Sequence, residues 1–296
     1  MRKPPPLLAG KLVTAVASAG PPDPEKFARG VAAVRALDFD VRVPDDLLSR
    51  RTRYLAGSVA ARLEEFRSAY RAGAVWAARG GYGTMHLLTQ LDALFAGAPQ
   101  LVIGFSDVTA LGCAMLRHGL PWVHAPLFTT IADEPLETQA HLLAVLQGKA
   151  RGRRIAGETL AEGRAEGTLV GGSLALLAAL AGTDYFPRTR GAILFLEDVG
   201  EQPYRLDRMW TQLELAGAFD GIAGLVLGHF SDCEPRDKSY TCREVLVQLA
   251  ERVGVPTLIG VPFGHATPNF AIPCGVRGAI EGGALHLLEE VVNVSA

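Results

Sequence analysis

Cysteine is scarce in this chain of 296 residues. There are four, at 113, 233, 242 and 274, and no two form a C-x-x-C pair. That spacing excludes a zinc ribbon or a thioredoxin-like motif, and the four read as reduced, core-filling thiols. An excess of one charge is also missing: 29 Lys and Arg stand against 31 Asp and Glu, a net charge of −2. No global field therefore draws the protein to nucleic acid or to an anionic membrane. No apolar run approaches the ~20 residues of a membrane span. Nor is there an H-E-x-x-H motif. His229, Asp232, Cys233 and Glu234 lie close in sequence without ligand spacing, so no metal is expected. The glycine-rich segment Arg79-Gly80-Gly81-Tyr82-Gly83 matches neither the dinucleotide nor the P-loop pattern, and no cofactor is expected. Its free N–H groups suit an anion or a developing oxyanion, although a tight turn needs glycines in any case.

What is present describes a globular enzyme. Apolar residues are 49% and charged residues 20%, with 33 glycines and 18 prolines marking many turns between short elements. The length fits two modest domains or one large one. Met1-Arg2-Lys3 and the apolar residues after it imitate a signal peptide, but Pro4-Pro5-Pro6 and Lys11 interrupt them. Residues 12–17 read instead as a buried first strand, and the cytoplasm is the expected compartment.

Strand-like and helix-like segments alternate along the first half. After the first strand, Asp23-Pro24 offers an N-cap with proline at the first helical position. Ser58 caps a second helix, residues 74–78 and 101–105 read as strands, and residues 107–118 read as a helix. This alternation predicts βαβ units and an N-terminal parallel-sheet domain with flanking helices over residues 1–146. Residues 147–166 are polar and glycine-rich, with Arg151, Arg153 and Arg154 on a solvated face, and are expected to be a linker. Residues 167–296 form a smaller C-terminal α/β domain rich in strands: a helix over 173–181, strands over 193–196, 225–227 and 257–261, and a hairpin over 279–288.

Three residues stand where α/β sheets hold their chemistry, after the carboxyl ends of strands. Ser106 lies between a strand and a helix, the position of an exposed nucleophile, although a serine there is ordinarily an N-cap. Glu197 ends the apolar run 193–196, where a carboxylate also serves to cap loops. His265 follows the strand over 257–261, where a lone histidine is commonly structural. Their order, Ser…Glu…His, is the triad order of α/β hydrolases.

The chain resembles the LD-carboxypeptidases, serine peptidases that include murein tetrapeptide carboxypeptidase and the microcin C immunity proteins. The resemblance is carried by Tyr54-Leu55-Ala56-Gly57, by Ala77-Ala78-Arg79-Gly80-Gly81-Tyr82-Gly83 and by Ile103-Gly104-Phe105-Ser106-Asp107-Val108-Thr109-Ala110. It continues through Arg164-Ala165-Glu166-Gly167-Thr168-Leu169-Val170-Gly171-Gly172, then Leu196-Glu197-Asp198-Val199-Gly200-Glu201-Gln202-Pro203-Tyr204-Arg205, and Phe263-Gly264-His265. Two positions depart from the family's pattern: Ser173, where Asn is common, and Phe105, where Tyr or His is frequent. The resemblance implies Ser106 as nucleophile, His265 as base and then acid, and Glu197 as the group orienting the imidazole. It also implies an oxyanion hole from the N–H groups of Gly81 and Asp107, with Arg79 and Tyr82 as weaker substrate-binding candidates. A murein peptide is the implied substrate, cut between meso-diaminopimelate or L-Lys and terminal D-Ala, and a homodimer the implied assembly. Two alternatives remain. One is an immunity-type peptidase acting on aminoacyl-adenylate analogues, for whose extra aromatic loop 296 residues leave little room. The other is a small-molecule binding module without catalysis.

Overall fold

In the computed structural model, residues 1–237 and 239–294 are described. The first half builds a sheet from β1 (Leu12–Val16), β2 (Asp40–Arg42), β3 (Ala74–Ala77), β4 (Val102–Gly104) and β5 (Trp122–His124). Its helices are α1 (Pro24–Ala36), α2 (Val59–Ala72), α3 (Leu88–Phe95), α4 (Val108–Arg117), α5 (Phe128–Ile131) and α6 (Leu136–Gln147). The five strands pair in parallel. The start signals operate as expected. The Asp23 side chain accepts from Lys26 N–H with Pro24 in the first turn, and Ser58 accepts from Ala61 N–H. Helix α1 then buries Phe27, Gly30, Val31 and Val34 at helical spacing, the apolar three each contributing about 1.5–3 kcal/mol.

The second half contributes β6 (Arg154–Ala156), β7 (Glu158–Ala161), β8 (Ala165–Ser173), α7 (Leu174–Leu180), β9 (Ala192–Val199), α8 (Pro203–Leu215), β10 (Gly224–Ser231), α9 (Cys242–Val253) and β11 (Thr257–Ile259). It ends with β12 (Ile272–Cys274), β13 (Arg277–Glu281) and β14 (Ala284–Leu287). Its eight-stranded sheet runs β6-β14-β13-β8-β9-β10-β11-β7. Strands β8 to β11 are parallel and the outer ones antiparallel.

Two arrangements differ from the expectation. Residues 147–166 are not a structureless linker, because β6 and β7 lie within them as the two edges of the second sheet. Edge strands face water and carry charge, which is why this segment looks like a loop in sequence. The halves are also interleaved. Strand β12 leaves the second half and pairs antiparallel with β5, completing the first sheet in the order β12-β5-β4-β3-β1-β2.

The core is continuous across both sheets, with Trp76, Trp122, Trp210, Phe66, Phe95, Phe128, Phe195 and Phe263 fully buried. No helix among the described residues is long and apolar enough to cross a membrane. The carboxyl ends of β4, β5 and β9 and the segment after β11 meet where the two sheets adjoin.

Candidate active site

The backbone turns sharply between β4 and α4, and Ser106 takes a left-handed φ of +63° there. A non-glycine residue holds that conformation at a cost in backbone strain. Ser106 is not a cap, since its hydroxyl makes no hydrogen bond among the described residues and Asp107 occupies the N-cap position. Asp107, in turn, does not cap the helix with its side chain. Its buried Oδ2 accepts the Thr84 N–H at 2.8 Å, tying the serine turn to the glycine segment 80–83. Burial pushes the Asp107 carboxyl up, against the opposing Thr84 contacts and the Arg62 charge. Arg62 is itself fully buried and donates to the carbonyls of Ser18, Gly57 and Gly83, clasping three turns together.

Gly80 approaches the serine so closely that a Cβ there would stand 2.7 Å from Ser106 Oγ and 2.8 Å from its Cβ. Only glycine fits. The N–H groups of Gly81 and Asp107 have no acceptor among the described residues, so both are available beside the hydroxyl. Tyr82 is 47% exposed, with its ring 6.1 Å from Tyr54 and 5.2 Å from His86. Arg79 donates to Pro21 O at 2.9 Å, an anchor for the loop before α1.

Glu197 sits near the end of β9, fully buried. His265 Nδ1 donates to its Oε2 at 2.6 Å. Burial would raise this carboxyl, but the imidazoles of His124 and His265 outweigh burial and hold it down at about 2. For His265 burial acts downward, and the Glu197 contact reverses it, leaving the imidazole above its ordinary value. A Cβ at Gly264 would fall 2.7 Å from Glu197 Oε2, so glycine lets the histidine segment lie against the acid. Asn269 fixes that segment, its Oδ1 accepting the Gly264 N–H while its own N–H reaches Glu134. The Phe105 ring meets the His265 ring edge-on at 4.6 Å. Ser106 follows Phe105 directly, so this contact brings the serine turn to the imidazole. His265 Nε2 has no hydrogen-bond partner among the described residues.

Two acidic or imidazole groups of the site were not expected. Asp198, beside Glu197, points to the opposite face of β9 and accepts the N–H groups of Val199 and Ala175, the latter in the first turn of α7. Burial first and the Glu197 charge second push it up to about 6. The acidic doublet was its only signal. His124, the last residue of β5, lies with Nε2 3.6 Å from Glu197 Oε1; its place at a strand's carboxyl end was a visible cue. Ser173, one of the departures, caps α7 by accepting the Leu176 N–H. Other acidic and imidazole groups nearby in sequence are engaged elsewhere. Glu201 faces Arg205 at 3.5 Å, His229 Nε2 meets Pro268 O at 3.1 Å, and Glu234 accepts the Cys242 N–H. Among the described residues no group of three His, Cys, Asp or Glu side chains could hold a metal ion.

The chain is similar to known proteins over most of its length. The model of the LD-carboxypeptidase N-terminal domain matches residues 13–125, and that of the C-terminal domain matches residues 166–280. The chain is 37% identical over 256 residues to a murein tetrapeptide carboxypeptidase of Pseudomonas aeruginosa, covering 80% of this chain and 82% of that protein. A muramoyltetrapeptide carboxypeptidase structure from Oxalobacter formigenes superposes with a TM-score of 0.82 at 30% identity, over 93% of this chain and 98% of that one. An MccF-like protein of Bacillus anthracis, 24% identical, shares the fold with a TM-score of 0.87 over 97% and 99% of the two chains. Matched through both of its domains, this chain belongs to the LD-carboxypeptidase family.

Proposed function

We propose that this protein is a serine-type LD-carboxypeptidase, a hydrolase that removes terminal D-Ala from murein tetrapeptides in cell-wall recycling. The bond cut is the amide from the L-centre of meso-diaminopimelate or L-Lys to D-Ala. The observation that carries this reading is the 2.6 Å bond from His265 Nδ1 to the fully buried, ionised Glu197. It fixes the Nδ1–H tautomer and leaves the Nε2 lone pair free to act as a base.

His265 Nε2 takes the Ser106 proton as Oγ attacks the peptide carbonyl carbon. Negative charge forms on the carbonyl oxygen, and the N–H groups of Gly81 and Asp107 receive it. The imidazolium, stabilised by Glu197, protonates the departing D-Ala nitrogen as the amide C–N bond breaks. Water then hydrolyses the Ser106 ester with His265 again as base. Arg79 and Tyr82, on the glycine segment, are proposed to contact the peptide. The protein is further proposed to act in the cytoplasm as a homodimer, with the serine carried by the first sheet and Glu197 and His265 by the second half of the chain.

Mass spectrometry of a murein tetrapeptide incubated with the pure protein tests the activity directly. Loss of one alanine, abolished by Ser106→Ala, is expected. An intact tetrapeptide beside a cleaved aminoacyl-adenylate analogue would replace this reading with the immunity-type one. An untouched pair would leave only a binding module.

A further inference from the structure

His124 ends β5 next to β4, in register with Gly104 two residues before Ser106. It is completely enclosed. The rings of Phe105, Trp122, Phe195 and Phe263 surround it with centroids 5.6, 6.0, 5.6 and 5.8 Å away. Neither ring nitrogen finds a hydrogen-bond partner among the described residues. An imidazole so placed is destabilised by the desolvation of each unpaired polar atom. The charged atom facing it is Glu197 Oε1, 3.6 Å from Nε2, which also lacks a hydrogen bond. The gap is longer than a hydrogen bond, but in a dry pocket an N–H dipole aimed at a carboxylate still attracts strongly.

We infer that His124 is a positioning residue, presenting Nε2–H to Oε1 of Glu197 so that the carboxylate offers only Oε2 to His265. The inference rests on the Ser106–His265–Glu197 reading above. A carboxylate with one partner is free to swing about its last bond; held between His124 on β5 and His265 on the segment after β11 it has one orientation. That orientation keeps the His265 proton on Nδ1 and its Nε2 lone pair available to Ser106. Asp198, the other acid on β9, is turned toward α7 and does not compete.

The test compares His124→Leu, His124→Gln and His124→Asn with the wild type. Three quantities are read: the rate of Ser106 labelling by a fluorophosphonate, the low-field proton resonance of the His265–Glu197 bond, and kcat and KM on the tetrapeptide. Labelling needs an activated serine but no particular peptide. Loss of the N–H dipole facing a buried charge predicts labelling and kcat about 10- to 100-fold lower in His124→Leu. KM should be unchanged and the resonance displaced. The glutamine amide nitrogen stands as many bonds from Cβ as Nε2 does, so His124→Gln should recover to within about fivefold of wild type. The asparagine nitrogen is one bond short and should not. Wild-type labelling and an unmoved resonance in His124→Leu would overturn the inference, as would equal loss in the glutamine and asparagine variants. If the leucine variant fails to fold, that last pair decides. An unlabelled wild-type Ser106 is a different result: it refutes the triad reading and removes the basis of this one.

Discussion

Replacing Glu197 by Gln keeps the volume and removes the charge that the site is built around. Glu197 is fully buried, so no water replaces the lost interaction. An amide at this position can donate to His265 Nδ1, which would move the ring proton to Nε2 and turn the base into a donor facing Ser106. The carboxyl is held down from 4.5 to about 2, a preference for its charged form of about 3 kcal/mol. Only the part of it that favours the imidazolium over the neutral ring in the transition state bears on the rate. The equivalent Asp→Asn change in a serine protease costs about 10⁴ in kcat. A fall in kcat of roughly 10²–10⁴ is therefore expected here. The pH profile supplies a second readout. His265 must be neutral to act as base, so activity is lost as pH falls through its folded pKa, which Glu197 holds above the usual value. Without the charge that limb moves to lower pH. The assay is D-Ala release followed from pH 5 to 9 for wild type, Glu197→Gln and Glu201→Gln. Glu201 faces the exposed Arg205, and its loss should be mild. A crippled Glu201→Gln beside an active Glu197→Gln, or an acid limb that moves upward, would refute the assignment.

Ser106→Ala should lower turnover by roughly 10³ or more with an unchanged thermal melt, and near-normal turnover would sink the nucleophile assignment. Gly80→Ala places a Cβ 2.7 Å from Ser106 Oγ, and displacing the hydroxyl should cost about 10²-fold in kcat/KM; full activity in steady-state assays would show that the serine acts from elsewhere. Metal chelators should leave D-Ala release unchanged, because Ser106, His265 and Glu197 need no cation; complete inhibition reversed by zinc would bring back the segment around His229 and Glu234.

Local chemistry made much of this protein legible from its sequence. Asp23-Pro24 and Ser58 announce helix starts because their side chains bond N–H groups only a few residues away. The parallel arrangement followed from strands separated by helices, and the order Ser106, Glu197, His265 followed from their places after apolar runs. Pairings between distant segments were not legible, because they are settled by which edge remains open once the sheets form. Hence 154–156 and 158–161 looked like linker yet became sheet edges, and β12 crossed back to complete the first sheet. The site divides in the same way. Sequence named the three groups, but the tertiary structure alone put His265 on Glu197 Oε2 and left Ser106 out of the cap position. It also enclosed His124 against Oε1, since that contact joins strands of two sheets 73 positions apart in the chain.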